Sequence, residues 1–182
     1  MRRIVIGHND SGKTQVLSDA NIDPITIALL PGAKVHRMWE LDDLPTLPVT
    51  NVQAAANGTY FPGPGGLRFG LISIPPGLSY APPSDVSAEA MAAAVAEADA
   101  KLPGMLATFD EAQEGIHTTQ TVDFVIVLSG EGRLRTDDGV DLPLRPGDCL
   151  IQNGSAHGWF NDGPEPFVFC YTLCGADSGS GD

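Results

Sequence analysis

Apolar and polar positions alternate in short bursts along this chain, and most bursts end at Gly, Pro, Asn or Asp. A period of two marks a strand with one buried face. Ile4–Ile6 and Gln15–Leu17 flank the polar stretch His8–Lys13 and predict an N-terminal hairpin. Ile25–Leu30 and Val35–Trp39 read as two further short strands, separated by Pro31-Gly32. Leu41–Pro64 is rich in Pro and Gly and reads as an ordered loop, after which Leu67–Ile74 is strand-like up to Pro75-Pro76. The second half holds six more strand-like segments: Thr118–Leu128, Gly132–Arg135, Val140–Leu144, Asp148–Gln152, His157–Phe160 and Phe167–Leu173. Short strands at turn spacings of about 8–12 residues predict an all-β antiparallel barrel or two-sheet jelly roll.

One segment carries the helical period instead. Ser87 is a candidate N-cap, Pro103-Gly104 ends the run, and Met91, Val95, Ala98 and Leu102 form a narrow apolar stripe. The spacing predicts a helix over about 87–101, lying on the surface.

Charge narrows the partners. The 182 residues include 10 basic and 23 acidic side chains, a net charge of −13, which repels phosphate backbones and anionic lipid. The expected partners exclude nucleic acid and membranes, since Ile25–Leu30 and Phe124–Leu128 are far too short to cross a bilayer. Met1-Arg2-Arg3 leads into only three apolar residues, so no signal-peptide core is read and a cytoplasmic location is expected. Cys149, Cys170 and Cys174 read as buried small hydrophobes; in one strand Cys170 and Cys174 would lie ~13 Å apart, too far for a disulfide.

Gly7–Thr14 matches the phosphate-loop pattern G-x-x-x-x-G-K-[ST]. That chemistry needs a helix from Lys13 whose N–H groups face the phosphates. Asp19, Asn21, Asp23 and Pro24 do not supply one, so the match reads as a hairpin turn.

The chemistry-bearing residues lie further on. In a strand over 117–127, His117, Thr119, Thr121 and Asp123 share one face, and Val125 and Val127 continue it. Six residues separate Asp123 from Gly130, and a second cluster follows in Gly147, Gly154, His157 and Asn161. This joint spacing resembles the two motifs of the cupin superfamily over about residues 115–174. His117 takes the first histidine position of the first motif and Asp123 its glutamate position. Thr119 stands where a second histidine is usual, and Gln152 where a proline is usual. Val127–Glu131 reads Val-Leu-Ser-Gly-Glu, as in small cupins of the H-x-T-x-T-x-D type.

The resemblance implies a cupin double-stranded β-helix, a jelly-roll barrel. Residues 1–114 supply flanking strands, a loop and the helix, 115–174 the barrel core, and 175–182 a mobile tail. It implies a site inside the barrel in which His157 faces His117 and Asp123 as catalytic groups. A divalent metal (Fe, Mn, Ni, Cu or Zn) held by His117, His157 and Asp123 is one form of that site, and a metal-free site is the other. Thr119, Thr121, Val125, Val127 and Trp159 would line an apolar pocket for a small aromatic or otherwise apolar ligand. Arg68, in Leu67–Ile74, is either an anchor for a substrate carboxylate or an outward, solvated arginine. The implied activity is that of a small-molecule enzyme of oxygenase, isomerase or dehydratase type. The alternative is a metal-free ligand-binding or sensing module, which Thr119 favours. Cupins of this size imply a homodimer.

Overall fold

A computed structural model describes residues 1–49, 58–81, 86–177 and 179. The N-terminal alternation becomes β1 (Arg2–His8) and β2 (Thr14–Asn21), an antiparallel hairpin separate from the other sheets. Its turn is the phosphate-loop look-alike. The Asn9 side-chain oxygen accepts from the Ser11 N–H (3.1 Å) and the Lys13 N–H (2.9 Å), and the chain continues as a strand.

The remaining strands are β3 (Lys34–Leu41), β4 (Leu67–Ile74), β5 (Thr121–Ser129), β6 (Gly132–Thr136), β7 (Asp141–Leu144), β8 (Cys149–Asn153), β9 (His157–Phe160) and β10 (Phe167–Gly175). They form two antiparallel sheets, ordered β3-β4-β10-β5-β8 and β7-β6-β9. The inner faces of both sheets contribute to one core. Trp159 of β9 stacks on Phe169 of β10 with ring centroids 4.4 Å apart, over Leu134 and Val127. This is the all-β jelly-roll architecture expected, with β3 and β4 of the first half built into the larger sheet. Gly130, at the end of β5, holds φ +71°, and a Cβ there would come within 2.1 Å of the Pro166 carbonyl oxygen. Only glycine lets β5 turn away so close to the start of β10.

Helix α1 (Ala88–Lys101) begins where the sequence places it, with the Ser87 hydroxyl accepting from Ala90 N–H at 3.2 Å. It lies on the surface, held by Glu97, which accepts from Ala28 N–H (2.9 Å), and by Lys101, which donates to the Thr26 carbonyl (2.7 Å). Ala98 and Leu102 are buried beneath it.

Three expectations change. Ile25–Leu30 is not a strand: Ile25 makes a single bridge to Val35 and the chain then turns, because Pro24 and Pro31-Gly32 leave no room for a ladder. Cys149 is exposed and Cys170 and Cys174 are half-buried, since all three take outward positions on their strands. Gly175 and Ala176, read as the start of a mobile tail, bond to Gly66 and Gln120 backbone at 2.9 Å each. Residues 50–57 of the loop read over Leu41–Pro64 lie outside the described residues.

One inward row across the larger sheet is polar. Strand register aligns Glu40, Arg68, Leu173, Asp123 and Gln152 from β3 to β8, all facing the interior, with Leu173 the one apolar side chain among them. Arg68 and Asp123 stand two strands apart in that row, about 10 Å.

Candidate functional site

Alternation along β5 does what the sequence predicts. Thr119, Thr121, Asp123, Val125 and Val127 are buried, while Phe124, Ile126 and Leu128 point out. His117 precedes the strand and is fixed by another contact. Its N–H donates to the His157 carbonyl at 2.8 Å and its carbonyl accepts from the His157 N–H at 3.0 Å. This two-bond bridge joins the approach to β5 with the first residue of β9 and brings the two imidazole centroids to 4.3 Å.

The backbone also sets which ring nitrogen is free. His157 Nδ1 lies 2.8 Å from the Ser155 carbonyl and His117 Nδ1 lies 3.4 Å from the Gly115 carbonyl. A carbonyl only accepts, so Nδ1 carries the proton and Nε2 keeps its lone pair in each ring. Burial, and then the neighbouring His157, push the His117 pKa down to about 3, against a weak pull upward from Gly115. Burial likewise holds His157 below its ordinary value, with the Ser155 carbonyl opposing. Both rings are neutral bases at pH 7, and protonating one discourages the other.

Asp123 behaves in the opposite sense. Burial raises its pKa, the Thr121 hydroxyl opposing, and its Oδ1 has no hydrogen-bond partner among the described residues. Its cross-strand neighbour Gln152 also has a buried, unpartnered oxygen.

These groups open onto a cavity of about 100 Å³. His117, Asp123, Val125, His157 and Trp159 line it, so the structure brings together five of the nine residues singled out from sequence. Thr119, Thr121 and Val127 face inward behind its wall. The two threonine hydroxyls are 2.8 Å apart and bond each other. Arg68 is neither an anchor in the cavity nor a solvated side chain. It is buried and engaged by Asp42 (2.6 Å), Glu40 (3.6 Å) and the Leu41 carbonyl (2.8 Å), because its row places Glu40 beside it and Asp123 out of reach.

Much of the wall comes from residues that sequence patterning passed over. Tyr60, Tyr80, Met105 and Phe109 lie in irregular segments with no period to mark a face, and they converge only through tertiary packing. Phe169 and Tyr171, also lining it, occupy inward positions of β10 and were legible from the alternation used for β5. Tyr171 crosses over Gly70 of β4, where a Cβ would meet the tyrosine oxygen and the His36 carbonyl at 2.4 Å each.

For a metal, the donor chemistry is incomplete. Two Nε2 lone pairs suit a first-row divalent ion, but catalytic centres of that kind take about three protein ligands. Among the described residues no three His, Cys, Asp or Glu side chains gather around one point, so Asp123 does not complete a triad with the histidines. Thr119 is engaged with Thr121. The residues present do not fit a closed three-ligand centre.

A family model for the cupin domain matches residues 106–174. Over 52 residues the chain is 36% identical to oryzines biosynthesis cluster protein J of Aspergillus oryzae, covering 29% of each protein. Over 46 residues it is 39% identical to the cupin-domain-containing oxidoreductase virC of Hypocrea virens, covering 25% of this chain and 24% of that one. The chain thus matches less than a third of the length of these curated relatives. A crystal structure of a predicted oxalate decarboxylase from Thermotoga maritima aligns with a TM-score of 0.47 at 16% identity, covering 88% of this chain and 98% of that one. Among the described residues no helix is long and apolar enough to cross a membrane.

Proposed function

Through residues 106–174 the chain belongs to the cupin superfamily, and on that footing we propose that it is a small-molecule enzyme whose chemistry is carried by His117 and His157. The observation behind this reading is the pairing of two neutral imidazoles, each with Nε2 unprotonated, on a cavity whose walls are otherwise mostly apolar. Such a pair accepts one proton from a bound substrate and holds it in a low-dielectric space where the charge is felt strongly. The imidazolium so formed returns that proton at a second atom of the substrate, and the pair is neutral again. Proton removal at one atom and delivery at another is isomerase or dehydratase chemistry, and it needs no ligand set that the residues lack. The biosynthesis-cluster relative supports a role in small-molecule chemistry.

Solvent exchange tests the reading. Wild-type protein incubated in D₂O with a panel of enolisable aryl ketones that carry a phenolic hydroxyl is expected to place deuterium at the exchangeable carbon, read by mass spectrometry. His117→Ala and His157→Ala, with folding checked by circular dichroism, are expected to lose that exchange. Exchange retained in either variant overturns the assignment.

A second reading is a metal-free binding module. It is favoured by Thr119, whose hydroxyl is tied to Thr121 and takes no part in the cavity. On that reading ligands bind, and no deuterium is incorporated.

We also propose that a second copy of the chain covers the outer face of the larger sheet. Phe69, Phe124, Ile126, Leu128 and Ile151 are each 37–49% exposed there, and the outward positions of β4, β10, β5 and β8 carry no charged side chain. A chain of net charge −13 repels its own kind elsewhere, so a neutral apolar face is where two copies can meet.

A further inference from the structure

We infer that the cavity selects a ring bearing a hydrogen-bond donor, a phenol or an aromatic amine, and rejects carboxylates and phosphates. The inference rests on the reading of this cavity as a small-molecule site, and it adds the class of molecule.

The first support is a complete census of cations. The chain has 10 Lys and Arg residues, every one of them among the described residues, and none lines the cavity. Those nearest in the fold are committed. Arg68 is held by Asp42 and Glu40, and Arg37 by Glu40. An anion entering the cavity would leave water without gaining a counter-charge, and burial of an unpaired charge costs several kcal/mol.

The second support is the polarity of what remains. Two free acceptors among the described residues mark the cavity, Nε2 of His117 and Nε2 of His157, and the carboxyl of Asp123 also lines it. The Tyr80 hydroxyl is already used, donating to the Trp159 carbonyl at 2.7 Å. Among the described residues a ligand O–H or N–H therefore finds two imidazole acceptors whose ring centroids lie 4.3 Å apart. Tyr80, Phe109 and Trp159 offer ring faces and edges for a planar body.

The approach repeats the selection. An outer groove shares Leu30, Tyr80, Met105 and Phe109 with the cavity and adds Asp110, Glu111 and Glu114. Negative charge along that route lowers the local concentration of anions.

Four probes of similar size separate the possibilities: phenol, aniline, toluene and benzoate. Each is titrated into the wild-type protein while the His117 and His157 imidazole signals are followed by NMR, with His157→Ala used for assignment. Phenol and aniline are expected to shift both rings with affinities about tenfold above that of toluene, from one recovered hydrogen bond to a buried acceptor. Benzoate is expected to leave both rings unmoved at the same concentrations. Benzoate binding within tenfold of phenol overturns the anion exclusion. Toluene matching phenol overturns the donor preference while leaving the small-molecule site intact. If no probe moves either ring, the site reading fails and the inference with it.

Discussion

His117 and His157 hold each other twice, by a reciprocal pair of backbone hydrogen bonds at 2.8 and 3.0 Å and by imidazoles whose centroids are 4.3 Å apart. The backbone bridge fixes the ring separation, so the pair is set by main-chain geometry and not by flexible side chains. Such fixed placement is what electrostatic and acid–base catalysis require.

Acid should weaken the metal-free protein through these rings. Their unfolded pKa is near 6.5 and the folded values are lower, about 3 for His117, so the unfolded state binds the extra protons. Their stabilising contribution is complete above pH 6.5 and declines as pH falls from there toward 3, by up to about 1.4 kcal/mol per pH unit for each ring. Asp123 acts with the opposite sign, since its raised pKa makes its contribution largest below 3.8 and smaller as pH rises through the folded value. With two rings against one carboxyl, net stability falls on acidification. Urea midpoints at pH 7.5 and 5 for wild type and His117→Gln check this: the variant should show a shallower loss, and an equal slope would rule the assignment out.

Metal held by the histidine pair alone should be loosely bound. Protein equilibrated with Zn²⁺ and dialysed against EDTA is expected to retain none by elemental mass spectrometry, and His157→Ala should take up none at the start. Stoichiometric metal that survives dialysis would mean that Asp123 or another residue closes around it.

Gly70→Ala should be strongly disruptive for so small a change. The new methyl would meet Tyr171 Oη and the His36 carbonyl at 2.4 Å, so either β3 or the Tyr171 ring must move. Overpacking of this kind costs about 1–3 kcal/mol. Thermal melts read the loss, and displacement of Tyr171 should weaken phenol binding as well.

Arg68→Lys separates stability from ligand binding. The lysine keeps the charge but loses the planar fork that reaches Asp42, the Leu41 carbonyl and Glu40, at a cost of about 1–3 kcal/mol. Phenol affinity of the folded variant should equal that of wild type. A marked loss of affinity would return Arg68 to the cavity.

Ile126→Asp, on the outward face of β5, should leave the fold intact and split the dimer. Light scattering is expected to give twice the 19.1 kDa chain mass for wild type and the single mass for the variant. A wild-type mass of 19.1 kDa removes the proposed interface.

What was legible in the sequence follows the range of the forces involved. Period two along 121–127 places four side chains on one inner face because it is a local property of extended backbone, and the burial of Asp123 and Val125 follows from it, whereas His117 lies ahead of the strand and is placed by its bridge to His157. Ser87 and the β4 limits were legible for the same reason. Ile25–Leu30 misleads because its apolar residues are buried by packing and not by a ladder, which composition does not distinguish. Arg68 was misplaced because its partners, Glu40 and Asp42, are 28 and 26 residues away in the chain, and only register shows that Glu40 shares its row. Tyr60, Tyr80 and Phe109 carry no pattern at all.

The cavity is assembled from two stretches of chain with different duties. His117, Asp123 and His157 come from the segment that matches the family model, while Tyr60, Tyr80, Met105 and Phe109 come largely from outside it. Part of the fit is therefore encoded apart from the reactivity. Substitutions in Tyr60–Met105 can retune the shape that is accepted without touching the imidazole pair, so a graft of that stretch between relatives should carry shape preference with it and leave the donor preference and the proton chemistry behind.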